Sequence, residues 1–134
     1  MQLASFADLL QAAQQQDQPQ RLLFVFAAAE LPSDATPAQR ARFEAGQGGA
    51  LVPRMCVDKL PAELADFASL AAEAAQMGQH WQLMFAASLS GRAGQPPSSA
   101  EAEPHLNRMI EAIQQGHLQS FLAFDRQGEL LMLH

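Results

Sequence analysis

Leu22-Leu23-Phe24-Val25-Phe26-Ala27 is an apolar run with no polar break, and it constrains the fold more than any other stretch of the chain. A strand with one wet face alternates apolar and polar residues, whereas an unbroken run of this kind needs cover on both faces. The chain must therefore bring helices to both sides of a sheet. Ser5, with Asp8 three residues on, resembles a helix N-cap, and Phe6, Leu9, Leu10 and Ala13 recur at helical spacing as far as Gln16. Asp17-Gln18-Pro19-Gln20 then breaks this first helix ahead of the strand.

Downstream, the same alternation of helix and strand continues. Pro32-Ser33-Asp34 forms a loop, and Thr36 caps a second helix with Pro37 at its first position, where a missing N–H costs nothing. That helix runs to about Ala45 and stops at Gly46, and Gly46-Gln47-Gly48-Gly49 leads into a second strand over 50–57. Pro53 would interrupt a central ladder, so this strand is expected at an edge or with a bulge. Pro61 opens a third helix with an apolar stripe of Leu64, Phe67, Leu70, Ala71 and Ala74, ending near Met77-Gly78. Residues 81–88 read as a third strand and 91–98 as a Gly, Pro and Ser-rich loop. Ser98 or Ser99 caps a fourth helix carrying Leu106, Met109, Ile110 and Ile113, and Gly116 ends it. Residues 118–124, the turn Asp125-Arg126-Gln127-Gly128 and residues 129–133 make a terminal β-hairpin.

The order helix, strand, helix, strand thus occurs twice, and the likeness extends to residues. With alanine matches set aside, the two halves align Phe6/Phe67, Leu9/Leu70, Gln15/Gln76, Phe26/Phe85, Glu44/Glu111, Gln47/Gln114, Gly49/Gly116, Leu51/Leu118 and Asp58/Asp125. The expected architecture is α/β: two tandem αβαβ repeats, about 1–60 and 61–134, forming one layered domain over 1–134 with pseudo-twofold symmetry and a closing hairpin. A chain of 134 residues is long enough for one such core. Equivalent loops would lie about the axis, and a cleft there is the natural place for a ligand.

Composition narrows the function classes. With 49% apolar and 16% charged residues the chain should fold rather than stay disordered. The net charge is -6 and the eight basic residues are scattered, so nucleic acid and anionic membrane are poor partners. The N-terminus lacks the basic and apolar regions of a signal peptide, and no apolar run approaches the ~20 residues of a membrane span. A single cysteine, Cys56, excludes an internal disulfide, a thiolate zinc cluster or a Cys-x-x-Cys pair, and the expected compartment is the cytoplasm.

Candidate chemistry is sparse. Gly46-Gln47-Gly48-Gly49 resembles a phosphate loop in composition, but a dinucleotide fingerprint follows a strand and opens a helix, and these glycines do the reverse. Ser88-Leu89-Ser90-Gly91-Arg92 is better placed, after a buried strand and before a helix; in open α/β sheets ligands collect at the carboxyl ends of parallel strands. Ser88, Ser90, Gly91 and Arg92, with the capped start of the fourth helix, are the candidate ligand-binding residues, suited to an anion. Asp58 and Asp125 end equivalent strands and are candidate paired carboxylates, although Asp125 also suits a turn. His80, His105, His117 and His134 show no metal-ligand spacing, so no metal or other cofactor is expected. Cys56, between Met55 and Val57, reads as a small hydrophobe with no basic partner in sequence.

As a whole the chain resembles a family of small proteobacterial proteins, some of which carry the name "ribonucleotide reductase subunit alpha". The likeness rests on Pro19-Gln20-Arg21-Leu22-Leu23-Phe24-Val25-Phe26, Gln39-Arg40-Ala41-Arg42-Phe43-Glu44-Ala45-Gly46, Gly48-Gly49-Ala50-Leu51-Val52-Pro53, Met55-Cys56-Val57-Asp58-Lys59, Leu89-Ser90-Gly91-Arg92 and Phe124-Asp125-Arg126. A reductase catalytic subunit draws on one radical cysteine and a further redox pair inside a much longer barrel. One Cys56 does not supply that chemistry, so the resemblance brings no catalytic residues. The expectation is a non-catalytic module that binds a protein partner or assembles with itself. The alternative is a binder of, or small enzyme acting on, an anionic small molecule through the loop from Ser88 to Arg92.

Overall fold

In the computed structural model, which describes residues 5–31, 33–45 and 50–131, the apolar run lies at the centre of β1 (Gln20–Glu30). Every residue from Leu22 to Ala28 is buried. The other strands are β2 (Ala50–Lys59), β3 (Leu83–Ser90), β4 (Leu122–Phe124) and β5 (Leu130–Leu131), in the order β2-β1-β3-β4-β5. Every ladder is antiparallel, and β1 pairs with β2 on one side and β3 on the other. The helices are α1 (Phe6–Gln14), α2 (Pro37–Glu44), α3 (Phe67–Gln76) and α4 (Ser99–Gln114).

Side chains of β1 alternate between two separate apolar clusters, as a period of two requires. Leu22, Phe24 and Phe26 pack with Met84, Ala86 and Phe124 under α1 and α3, which contribute Phe6, Leu9, Leu10, Ala13, Leu70 and Ala74. The Phe6 ring meets Phe24, Phe67 and Phe124 at centroid distances of 5.8, 5.5 and 5.9 Å. Leu23, Val25 and Ala27 face the other way and pack with Phe85 under Ala102, Leu106, Met109 and Ile113 of α4. The antiparallel sheet is thus covered on both sides, as the unbroken run requires.

Local signals set most boundaries. Ser5, Thr36 and Ser98 cap α1, α2 and α4, the last two with reciprocal capping boxes through Gln39 and Glu101. The stretch opened by Pro61 differs from expectation: Pro61–Glu63 is a single 3-10 turn, the chain is extended at Leu64, and α3 restarts from an Asp66 cap. β2 is an edge strand, and its register with β1 shifts where Ala27 meets Pro53, leaving Arg54 as the extra residue of a bulge. The bulge falls where Pro53 has no N–H to give the ladder. Residues 1–4, Pro32 of the expected loop, the segment Gly46-Gln47-Gly48-Gly49 and residues 132–134, which include the expected last residues of the hairpin, lie outside the described residues.

One aligned residue pair and one aligned helix pair do not occupy matching places. Phe26 faces α1 and α3, whereas Phe85 faces α4, because a slip of one residue moves a strand's side chain to the opposite face. Helix α2 has no buried residue, while α4 has Ala102, Leu106, Met109 and Ile113 buried.

Candidate functional site

The loop after β3 is built on a buried amide. Gln20, at the start of β1 and opposite Ser90 in the ladder, is 7% exposed, so its polar groups need partners. Its Nε2 donates to Ser90 Oγ at 3.1 Å and to the Gln18 carbonyl at 3.0 Å, and its Oε1 accepts from Ser88 Oγ at 2.6 Å. Both candidate serines are therefore held by one glutamine. Ser88 has spent its proton on Gln20; Ser90 accepts, and keeps its own proton for another acceptor.

From Ser90 the chain turns sharply. The Gly91 N–H donates to the Pro19 carbonyl at 2.8 Å, and a Cβ on Gly91 would sit 2.0 Å from the Gln95 carbonyl oxygen, so only glycine fits. Arg92 and Gln95 exchange backbone hydrogen bonds of 3.0 and 2.9 Å around Ala93 (φ 51) and Gly94 (φ 77), the two positive angles of a type I′ hairpin turn. The Gly94 N–H donates to Gln18 Oε1 at 3.0 Å, tying the turn back to the entry of β1. Arg92 is exposed and forms no ion pair among the described residues.

Beyond Pro96 and Pro97, α4 is anchored from beneath. Arg21 Nε donates to the Pro97 carbonyl at 2.6 Å, and Arg21 Nη1 donates to Asp58 Oδ2 at 2.6 Å. Ser99 Oγ donates to the same Asp58 oxygen at 2.6 Å. One guanidinium on β1 thus joins edge strand β2, the loop and the first turn of α4. Glu101 Oε1 accepts from the Ser98 N–H at 3.2 Å in the capping box. His105 lies one turn further along the same helical face. Its Nδ1 and Nε2 lie 2.8 and 3.4 Å from Arg108 Nη2, so imidazole and guanidinium sit against each other on the helix surface.

Together these segments wall an open cavity of about 390 Å³, lined by Leu89, Ser90, Arg92, Pro97, Glu101 and His105 among others. Of the sequence candidates, Ser90, Gly91 and Arg92 are brought together here. Ser88 lines a neighbouring hollow against α4 instead. The expected reason does not hold, because the sheet has no parallel pair and hence no carboxyl ends of parallel strands. The loop lines a cavity because a hairpin turn folds back beside a helix start.

Asp58 and Asp125 are not brought together. Asp58 is on edge strand β2 and Asp125 follows β4, three strand spacings away, roughly 14 Å of sheet. Asp58 is engaged by Arg21 and Ser99, and Asp125 Oδ1 accepts from the Gln127 and Glu129 N–H groups at 2.8 and 3.0 Å. Each carboxylate has a structural task. His80 and His117 are exposed and His134 lies outside the described residues, which contain no group of three or more metal-ligating side chains. Cys56 is exposed on β2, and its thiol is pushed above the ordinary range, first by the burial it does have and then by the charge of Asp58. Among the described residues no helix is long and apolar enough to cross a membrane.

Sequence reasoning missed Gln20, Glu101 and His105. Glu101 had a local signal, the Ser98 capping box with a periodic continuation at His105; Gln20 had none, since its partners lie in β3. Scanned against family models, curated proteins and solved structures, the chain matches none.

Proposed function

We propose that this chain is a non-catalytic module that binds a protein partner or assembles with itself. Helix α2 carries the reading. It has a complete start, with a Thr36 cap, Pro37 and a reciprocal bond to Gln39, yet none of its residues is buried. A helix of eight residues is well below the ~12–15 at which isolated helices become marginal in water. A covering surface supplied by another chain would account for a well-capped helix that its own domain leaves bare. Edge strand β2, ten residues long, offers a second place for a partner, while its bulge and the charges of Arg54, Asp58 and Lys59 restrain indiscriminate pairing. The test is light scattering at high concentration, combined with a photo-crosslinker placed at Ala41. Self-assembly predicts a dimer or larger species that Arg40→Glu with Arg42→Glu dissociates. A monomer that yields no crosslink from α2, with no partner recovered, counts against the proposal.

The duplication belongs to the same reading, with a corrected alignment. The order β2-β1-β3-β4 is unchanged when β1 is exchanged with β3 and β2 with β4. The ladders support that exchange: Phe26 pairs Met55 as Ala86 pairs Leu122, and Phe24 pairs Val57 as Met84 pairs Phe124. On this equivalence Phe26 answers to Ala86 rather than Phe85, and Asp58 still answers to Asp125. Cytoplasmic residence is supported by the lone cysteine, and the net charge of -6 argues against nucleic acid and anionic membrane as partners. The resemblance to the proteobacterial family stands beside this reading and adds no residue to it.

A second reading, binding of an anionic small molecule, is favoured by the cavity that Ser90, Gly91 and Arg92 line. It predicts that phosphate or a small carboxylate raises the melting temperature of the wild type and not of Arg92→Ala. No shift in the wild type removes it.

A further inference from the structure

We infer that the cavity between the loop after β3 and the start of α4 is built for a zwitterion, a free α-amino acid or a molecule carrying its ammonium and carboxylate groups. The inference rests on the second reading above and sharpens it. The cavity carries charges of both signs: Arg92 from the turn and Glu101 from α4. No ion pair joins them, and Arg92 has none with any other described residue. Opposite charges that share a small cavity without meeting each other match a ligand that carries both signs, whereas a simple anion would be attracted by Arg92 and repelled by Glu101.

The remaining groups and walls agree with that ligand. Glu101 uses Oε1 for the cap of α4, leaving Oε2 to accept from an ammonium group. Leu89, Pro96 and Pro97 supply an apolar wall for a short side chain. A volume of about 390 Å³ is ample for one amino acid. The site is also stiff before any ligand arrives, since Gln18, Gln20 and Arg21 fix the loop from three sides, which lowers the ordering cost of binding.

Calorimetric titration of the whole protein with L-leucine, 4-methylpentanoate and 3-methylbutylamine separates the charges. The last two keep the leucine side chain and lack, respectively, its amine and its carboxylate. L-leucine should bind at least tenfold more tightly than either. Glu101→Gln keeps the cap acceptor and removes the charge; it should weaken L-leucine at least tenfold and leave 4-methylpentanoate unchanged or tighter. Arg92→Gln should abolish the response to L-leucine with the melting temperature unmoved. If 4-methylpentanoate binds as tightly as L-leucine, the zwitterion is overturned and the anion reading stands. If neither binds, both fall.

Discussion

Ala93 holds a left-handed backbone conformation, φ 51, in the turn that shapes the cavity. That conformation costs a residue with a Cβ about 1–2 kcal/mol, more than the extra unfolded-chain entropy of glycine, about 0.4–1 kcal/mol. Ala93→Gly should therefore stabilise the protein by roughly 0.5–1 kcal/mol, read as a higher urea midpoint with an unchanged slope. The neighbouring Gly91 is constrained differently: its φ is ordinary and what it needs is space. Cys56 gives a residue-scale test of electrostatics. Because its pKa is raised in the folded state, its thiolate forms only at higher pH than in an open chain. The rate of alkylation by iodoacetamide should rise with pH through an inflection above that of N-acetylcysteine amide, and urea should bring the two together. An inflection at or below that of the amide would contradict the assignment.

Among elements, α2 and α4 respond to their sequences in opposite ways. α2 has an excellent cap and no buried residue, so Thr36→Ala should open it locally. Amides of 40–45 should lose hydrogen-exchange protection while the global unfolding midpoint moves by less than about 0.5 kcal/mol, because nothing in the core depends on them. α4 has a full packing face and an internal flaw: Pro104 lacks the N–H that would reach the Ala100 carbonyl. Since Pro104 is exposed, Pro104→Ala should stabilise the fold by about 1–3 kcal/mol, measured by denaturant unfolding. This contrast also explains what could be read in advance. Ser5, Thr36 and Ser98 were legible as caps because a cap bonds within its own first turn. Asp66 was not, because Pro61 is an equally good helix opener and only packing separates a 3-10 turn from a helix. Gln20 and Arg21 look like loop residues, and they belong to β1 because their partners, Ser88, Ser90 and Asp58, sit on the strands beside it. The cavity was half legible for the same reason: Ser90 to Arg92 announce themselves by position, whereas Glu101 and His105 arrive through the docking of α4.

At the scale of the molecule, the Arg21 guanidinium is the joint between sheet and helix. Its side chain is 12% exposed and that of Asp58 20%, so the pair is largely removed from water without being sealed from it. Arg21→Ala leaves Asp58 with only the Ser99 hydroxyl and frees the Pro97 carbonyl. The expected loss is about 2–4 kcal/mol, below the figure for a fully buried pair. Arg21→Ala with Asp58→Ala should recover part of that loss, because no charge is then stranded; a double variant as unstable as the sum of the single ones would argue against coupling. The same joint positions the cavity, so on the proposed ligand reading the affinity for L-leucine should fall in Arg21→Ala even where the protein stays folded.

The place of β1 between β2 and β3 bears on how the molecule is made. The partner strand β2 follows β1 closely along the chain, but the partners of 20–27 on β3 come about sixty residues later. At the usual pace of synthesis, about 5–20 residues per second, one side of the most apolar strand stays unpaired for roughly 3–12 s after it leaves the ribosome. Neither β1 with β2 nor β3 with β4 and β5 completes the sheet alone, since β1 and β3 pair with each other. The newly made chain is thus most vulnerable to aggregation through Leu22, Phe24 and Phe26, the residues that become least accessible once it has folded.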